Sequence, residues 1–380
     1  MDKPRIVRIE WGCLLGQRPR NLGCNARRGE HGATVRVPIA RVTVDDGSSG
    51  FGLAGVTRDL AEKLLGACIY DVFTPGRGPD EVWKPIEFPL WDLFCKRAGV
   101  PGYVAAAEAV GITPPSAPFR VPCYDTSLYI DDLHLSGIEE AAALLADEAR
   151  QGYEKGQRAF KLKVGRGARW LSLEEGTRRD IAIIRSVRAA LGPDAAIMVD
   201  ANNGYNLNLT KRVLAETADC GLFWVEEPFH EDAALYRDLR EWMEREGLKV
   251  LIADGEGDAS PNLMDWARDH VIDVIQRDIV WWGFTSWLPL AKQLDDWECR
   301  TAPHHYGTLY GNYALCHLAG ASRNFVSVEW DEATAPGLAA PGYAIVEGRV
   351  TVPDAPGFGL EIDEVAFRQV VRDEGFEVAV

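Results

Sequence analysis

The chain has 380 residues and carries 41 Lys and Arg against 57 Asp and Glu, a formal charge of −16 at pH 7. The length is enough for two domains or one large barrel with an appendage. The acidic balance argues against nucleic acid or an anionic membrane surface as a partner, because phosphate recognition needs clustered Lys and Arg. Hydrophobic residues at 47% and charged residues at 26% are ordinary for a globular protein.

From the N-terminus, Met1–Arg5 lacks the apolar run of a signal peptide, and no stretch reaches the length of a membrane span. Arg5–Trp11 and Thr34–Val44 alternate apolar with polar residues and predict strands. The Arg-rich segment between them, Arg18–His31, reads as a loop. Leu60–Ile69 and Glu81–Arg97 carry helical periodicity, and Pro114–Pro118 marks a boundary. Eight scattered cysteines without a C-x-x-C pair predict reduced thiols and a cytoplasmic protein.

Beyond the boundary the pattern becomes β then α, repeatedly. After an early strand around Val121–Ile130, apolar runs end near Lys163, Asp200, Glu226, Ala253, Arg277, Pro303 and Glu329. Helical stretches such as Arg178–Leu191, Leu209–Cys220 and Ala233–Glu246 lie between them. Ends recurring at roughly 25 to 35 residues match a strand–helix unit. Eight such units predict a parallel (β/α)8 barrel. An open doubly wound sheet is the competing α/β fold, but no dinucleotide-binding loop follows a first strand.

Barrel enzymes place their reactive groups at the C-terminal ends of strands, and here those ends are ionisable. Lys161 and Lys163 lie two apart, so a strand puts both on one face, where each ammonium lowers the other's pKa and makes a usable base. Asp200, Glu226 and Glu256 (or Asp254) are hard oxygen donors from three strands, a set that suits Mg²⁺; helix capping is the plainer role for any one of them. Asp278 and His304 on the next two strands make a carboxylate–imidazole pair able to act as a second base or acid. His305 ranks behind His304 because it points the other way if the strand continues. Glu329 could donate a hydrogen bond to substrate if protonated. Arg18, Arg20, Arg27 and Arg28 could reach over the barrel mouth and bind a distal carboxylate bidentately. His31, His134, His270 and His317 read as structural.

Together the K-x-K strand, the D-x-N strand (Asp200, Asn202), the W-V-E-E-P strand, the G-E end, the Asp278–His304 dyad, Glu329 and the closing segment Val352–Leu360 resemble the enolase superfamily, mandelate racemase subgroup. The resemblance implies a modified TIM-type (β/α)8 barrel (119–345) under an N-terminal α+β capping domain (1–118) completed by the C-terminal tail (346–380). It implies one Mg²⁺ per active site on Asp200, Glu226 and Glu256, with Glu256 chosen over Asp254 because it follows Gly255. Lys163 matches the base, Lys161 its electrostatic partner, His304 the opposite-face acid or base held by Asp278, and Glu329 an acid that hydrogen-bonds the substrate carboxylate. Asn202, Arg18, Arg20 and His305 are the candidates for substrate contact. The expected reaction is abstraction of the proton α to a carboxylate through an enediolate, most naturally dehydration of an acid sugar to a 2-keto-3-deoxy acid. Racemisation or epimerisation of a 2-hydroxy acid is the nearest rival, and a non-catalytic binding barrel the reading of another class. A small carboxylate substrate and a homo-oligomer complete the expectation.

Overall fold

The computed structural model describes residues 3–380. Eight parallel strands among the described residues form a barrel in chain order: Phe119–Leu128, Ala159–Lys163, Ala196–Asp200, Trp224–Glu226, Leu251–Asp254, Val274–Ile275, Arg300–Thr301 and Val328–Trp330. The ring closes because Val328–Trp330 pairs with Cys123–Asp125 of the first strand, while Val326 donates its N–H to the Thr301 carbonyl at 2.8 Å. The modified TIM-type barrel expected from the sequence is therefore the fold. The predicted strand ends at Lys163, Asp200 and Glu226 coincide with the observed ones; of the later strands, those ending at Asp254 and Trp330 run one residue further than predicted, and those ending at Ile275 and Thr301 stop two residues earlier.

Period-2 geometry builds the interior in layers. Tyr124, Met198, Trp224, Val274 and Ala302 pack as an apolar floor inside the ring. One step toward the mouth on the same faces come Asp200 above Met198 and Glu226 above Trp224, in register with Lys163 and with each other. The opposite faces, such as Ile197, Val199 and Val225, join the core under the helices. Those helices form for local reasons. Leu173–Leu191 begins at Ser172, whose hydroxyl accepts the Glu175 N–H, and it buries Ile181, Ile184, Val187 and Leu191 on one stripe.

The cap is a sheet ordered Phe376–Ala379, Ile6–Leu22, Gly32–Val44, Ser49–Leu53, so the C-terminal tail supplies its edge. Glu87–Ala98 packs on this sheet, and Phe358 of the tail donates its N–H to Asp92 of that helix. Arg349–Val352 instead pairs antiparallel with the first barrel strand. The predicted helix over Glu81–Arg97 is divided: Pro85 lies in a 3-10 turn, Glu81–Ile86, and the α-helix starts at Glu87. The predicted helix over Leu60–Ile69 is displaced to Arg58–Leu64.

The segment expected as a loop from Arg18 to His31 is corrected in part, because the first strand runs through to Leu22. Arg18 and Arg20 on that strand meet acids of the barrel rather than water, so their charge marks an interface, whereas Arg27 and Arg28 beyond it are exposed. No helix among the described residues is long and apolar enough to cross a membrane.

Candidate active site

At the mouth, carboxylate oxygens of Asp200, Glu226 and Glu256 lie within 4.8 Å of one another. Asp200 and Glu226 arrive there as neighbouring strand ends in register. Glu256 arrives by a different route. Its strand stops at Asp254, and Gly255, at φ 121°, turns the chain so that the two acids do not share a face. Asp254 points away, taking the Tyr236 hydroxyl and the Gly255 N–H. The choice left open in the sequence thus falls on Glu256.

Lys161 lies deepest, its Nζ 2.7 Å from Glu226, 2.9 Å from Glu329 and 3.6 Å from Asp200. Lys163 stands one layer nearer the opening, paired with Asp200 and facing the cleft. Burial alone would lower both amine pKa values, but the surrounding carboxylates outweigh it and both are raised. The expected lowering of Lys163 by Lys161 is present but smaller than the pull of Asp200. Across the cleft, His304 Nδ1 lies 2.5 Å from Asp278 and Nε2 lies 3.1 Å from Glu256. Burial lowers the imidazole pKa, but Glu256, Glu329 and Asp278 together push it up to about 10.

Glu329 corrects an expectation. It accepts from Thr126 Oγ1 at 2.7 Å and from the His305 N–H at 2.7 Å, and it pairs with Lys161. Burial raises its pKa, yet Lys161 and His304 overcome that and hold it well below the carboxylate range. Surrounded by donors, it is an ionised acceptor rather than a protonated donor.

Three substrate-contact expectations are also corrected. Arg18 is buried, with Nε and Nη2 on the two oxygens of Asp331 at 2.8 and 2.6 Å. Arg20 pairs with Asp131 at 2.9 Å and Glu148 at 2.8 Å. Alternation along a strand sends both side chains down to the barrel, away from the cleft. His305 is 1% exposed with its ring against Gly311, and burial pushes its pKa down to about 4, so it stays neutral and outside the cleft.

Asn202 does line the cleft, its amide donating to Glu227 at 3.0 Å and Glu256 at 3.3 Å. Arg27 and Arg28, on the true loop of the cap, line it as well. The cleft, about 820 Å³, also takes in Tyr129, Tyr306, His31, His230 and Trp281, which the sequence reading missed or assigned to structure. The His31 ring packs on Tyr129 at 4.7 Å and on Tyr306 at 5.3 Å, and Arg18 lies over Tyr306 at 4.8 Å. A signal was available for some: Tyr129 and Tyr306 each follow a strand end, and Trp281 stands three residues after Asp278.

A family model described as "Enolase C-terminal domain-like" matches residues 144–366. The chain belongs to the enolase superfamily. Within it, the chain is 46% identical to the galacturonate dehydratase of a Geobacillus species, whose structure holds D-galacturonate and 5-keto-4-deoxy-D-galacturonate. The match covers 99% of both chains with a TM-score of 0.94. A mandelate racemase/muconate lactonizing protein from Geobacillus sp. Y412MC10, complexed with magnesium and tartrate, is 46% identical over 100% of this chain and 98% of that one, with a TM-score of 0.97. The D-galactarolactone cycloisomerase of Agrobacterium fabrum is 27% identical over 263 residues, 66% of this chain and 65% of that relative's length. These likenesses place this enolase-superfamily chain in the mandelate racemase subgroup.

Proposed function

We propose that this protein is a Mg²⁺-dependent acid-sugar dehydratase that acts on a hexuronate of the galacturonate type and removes water across the carbons α and β to its carboxylate. The observation that carries the reading is the convergence of Asp200, Glu226 and Glu256 between an amine and an imidazole. The set fits Mg²⁺: the donors are oxygens only and their atoms lie within 4.8 Å of one another, with Glu329 beside Lys161 and Asp278 beside His304 as further carboxylates. Bound there, the ion would stabilise the negative charge that develops on the substrate carboxylate as its α-carbon loses a proton.

The chain's own residues supply the proton movements. Lys163 faces the cleft and takes the α-proton onto Nζ. The carboxylates that raise its pKa are those that would hold the ion, which leaves burial and then Lys161 favouring the neutral amine. His304 gives its proton to the departing β-hydroxyl, and Asp278, 2.5 Å from Nδ1, favours the protonated ring and fixes it for that transfer. The elimination leaves an enol that tautomerises to the keto-deoxy acid. Arg27 and Arg28 face the distal end of the substrate. We place the boundaries of the cap and barrel at residues 118 and 345. The eight free cysteines, seven of them buried, support a cytoplasmic setting. A homo-oligomer is part of the proposal, tested by light scattering.

The deciding experiment incubates the protein and Mg²⁺ with D-galacturonate and a panel of hexuronates and diacids in D₂O. A 2-keto-3-deoxy pattern relative to the carboxylate, seen by NMR, is the expected result. Deuterium appearing at the α-carbon of recovered substrate without any keto product would instead identify a racemase or epimerase. No change in any substrate would leave a binding barrel.

A further inference from the structure

Behind Lys163, on the side away from the cleft, lies a second charged cluster that the proton transfers do not use. The turn after the second barrel strand carries Arg166, whose side chain is 0% exposed. Its guanidinium donates to Asp132 from Nη2 at 2.7 Å and from Nε at 3.0 Å, and to Asp180 from Nη1 at 2.7 Å. The same Nη1 reaches the carbonyl oxygen of Lys163 at 3.2 Å. Asp180 also accepts the Gly165 N–H at 2.8 Å and the Tyr205 hydroxyl at 2.8 Å. Arg179 closes the array on Asp132 at 3.3 Å and on the Leu135 carbonyl at 3.0 Å.

Two cations and two anions shut away from water are a poor device for stability, since apolar side chains of the same volume usually serve as well or better. The array offers placement instead. A planar guanidinium fork can hold several acceptors in fixed directions at once, which an ammonium cannot. Two of the groups it fixes, the Lys163 carbonyl directly and the Gly165 N–H through Asp180, are the backbone on either side of Val164. The turn is pinned from the cap as well. A Cβ on Gly165, whose φ is +88°, would come within 2.9 Å of Ala26 Cβ, and Trp170 Nε1 donates to the Asn25 carbonyl at 2.8 Å.

We propose that Arg166, braced by Asp132 and Asp180, is a positioning residue that fixes the backbone of Lys163 and so aims its amine into the cleft. The inference rests on Lys163 being the base. Arg166→Lys keeps the charge and removes the fork. Arg166→Met combined with Asp180→Asn keeps the cluster balanced should the single variant fold poorly.

Each variant is assayed with Mg²⁺ and D-galacturonate for kcat and KM, with substrate deuterated at the α-carbon for the isotope effect, and by thermal melting. In folded Arg166→Lys, kcat falls about 100-fold, the scale expected for a misplacement of about 1 Å. KM stays within about twofold and the isotope effect on kcat rises as proton abstraction becomes slowest. The double variant shows the same split with no lowering of its melting temperature. A folded variant with wild-type kcat, or kcat and KM lost together with the melting temperature, overturns the proposal. Failure of the functional reading shows separately, as wild-type protein that makes no keto product. Crystal structures then decide: a displaced Lys163 Nζ in Arg166→Lys supports the proposal, and a superimposable one overturns it.

Discussion

The two walls of the cleft hold their reactive groups to different tolerances. On the lysine wall, Lys161 touches three carboxylates, neither amine side chain is more than 5% exposed, and both stand on a strand in register with its neighbour. On the histidine wall, His304 lies beyond the strand that ends at Thr301, its side chain is 16% exposed, and two carboxylates hold it. The lysine wall is a fixed point against which an α-carbon can be placed. The histidine wall is looser, which suits a group that must follow a leaving hydroxyl.

The sharpest way to break that comparison is to remove one wall at a time. Lys163→Ala should lower kcat by about 10⁴-fold, the upper range for a positioned base, and should also abolish deuterium exchange at the α-carbon. His304→Asn should lose dehydration to a comparable extent yet keep α-exchange, because proton abstraction precedes loss of the hydroxyl. Exchange surviving in Lys163→Ala but not in His304→Asn would reverse the two roles.

A second test addresses the carboxylates both walls share. Chelation by EDTA should reduce turnover at least about 100-fold, with recovery on adding Mg²⁺. Glu226→Gln should resist that recovery, as followed by Mg²⁺ titration calorimetry.

The third concerns the arginine once expected at the substrate. Arg18→Ala leaves Asp331 buried without its partner and should cost about 3 kcal/mol of stability in a denaturant melt. KM should rise only a few-fold, through loosening of Tyr306. A large KM effect at unchanged stability would mean that Arg18 reaches substrate after all.

The last test is made in acid. Burial depresses His305 and His317 from 6.5 to about 4 each. Above pH 6.5 both are neutral whether folded or unfolded, so they do not tilt the balance. Between pH 6.5 and 4 the unfolded imidazoles take protons that the folded ones refuse, and stability falls by about 3 kcal/mol for each. Melting temperatures measured from pH 7 down to 4 should decline accordingly, and His317→Gln should flatten part of the slope.

Much of the barrel was legible because its strands speak in a simple code. An apolar run ending in Lys163, Asp200 or Glu226 gives both the element and the face of its last residue, since period 2 leaves no freedom. Where the backbone departs from that code, the reading weakened. Asp254 and Glu256 should share a face by alternation, and only the φ of Gly255 separates them. Arg18 and Arg20 looked like a solvated loop because their acidic partners, Asp331, Asp131 and Glu148, lie more than a hundred residues away. The protonation of Glu329 was equally hidden, since it depends on Lys161, Thr126 and the His305 N–H converging from three other segments.

The sequence by itself determined the order of strands and helices, the apolar floor and the identities of the acids, amines and imidazole at the strand ends, because local periodicity and side-chain chemistry are properties of the chain alone. Only the tertiary structure decided which acid joins Asp200 and Glu226 at the mouth, which arginines see the cleft and in which direction each ionisable group is displaced from its ordinary pKa. Those outcomes depend on distance and burial among residues remote in sequence, and they take a value only once the barrel has closed and the cap has docked.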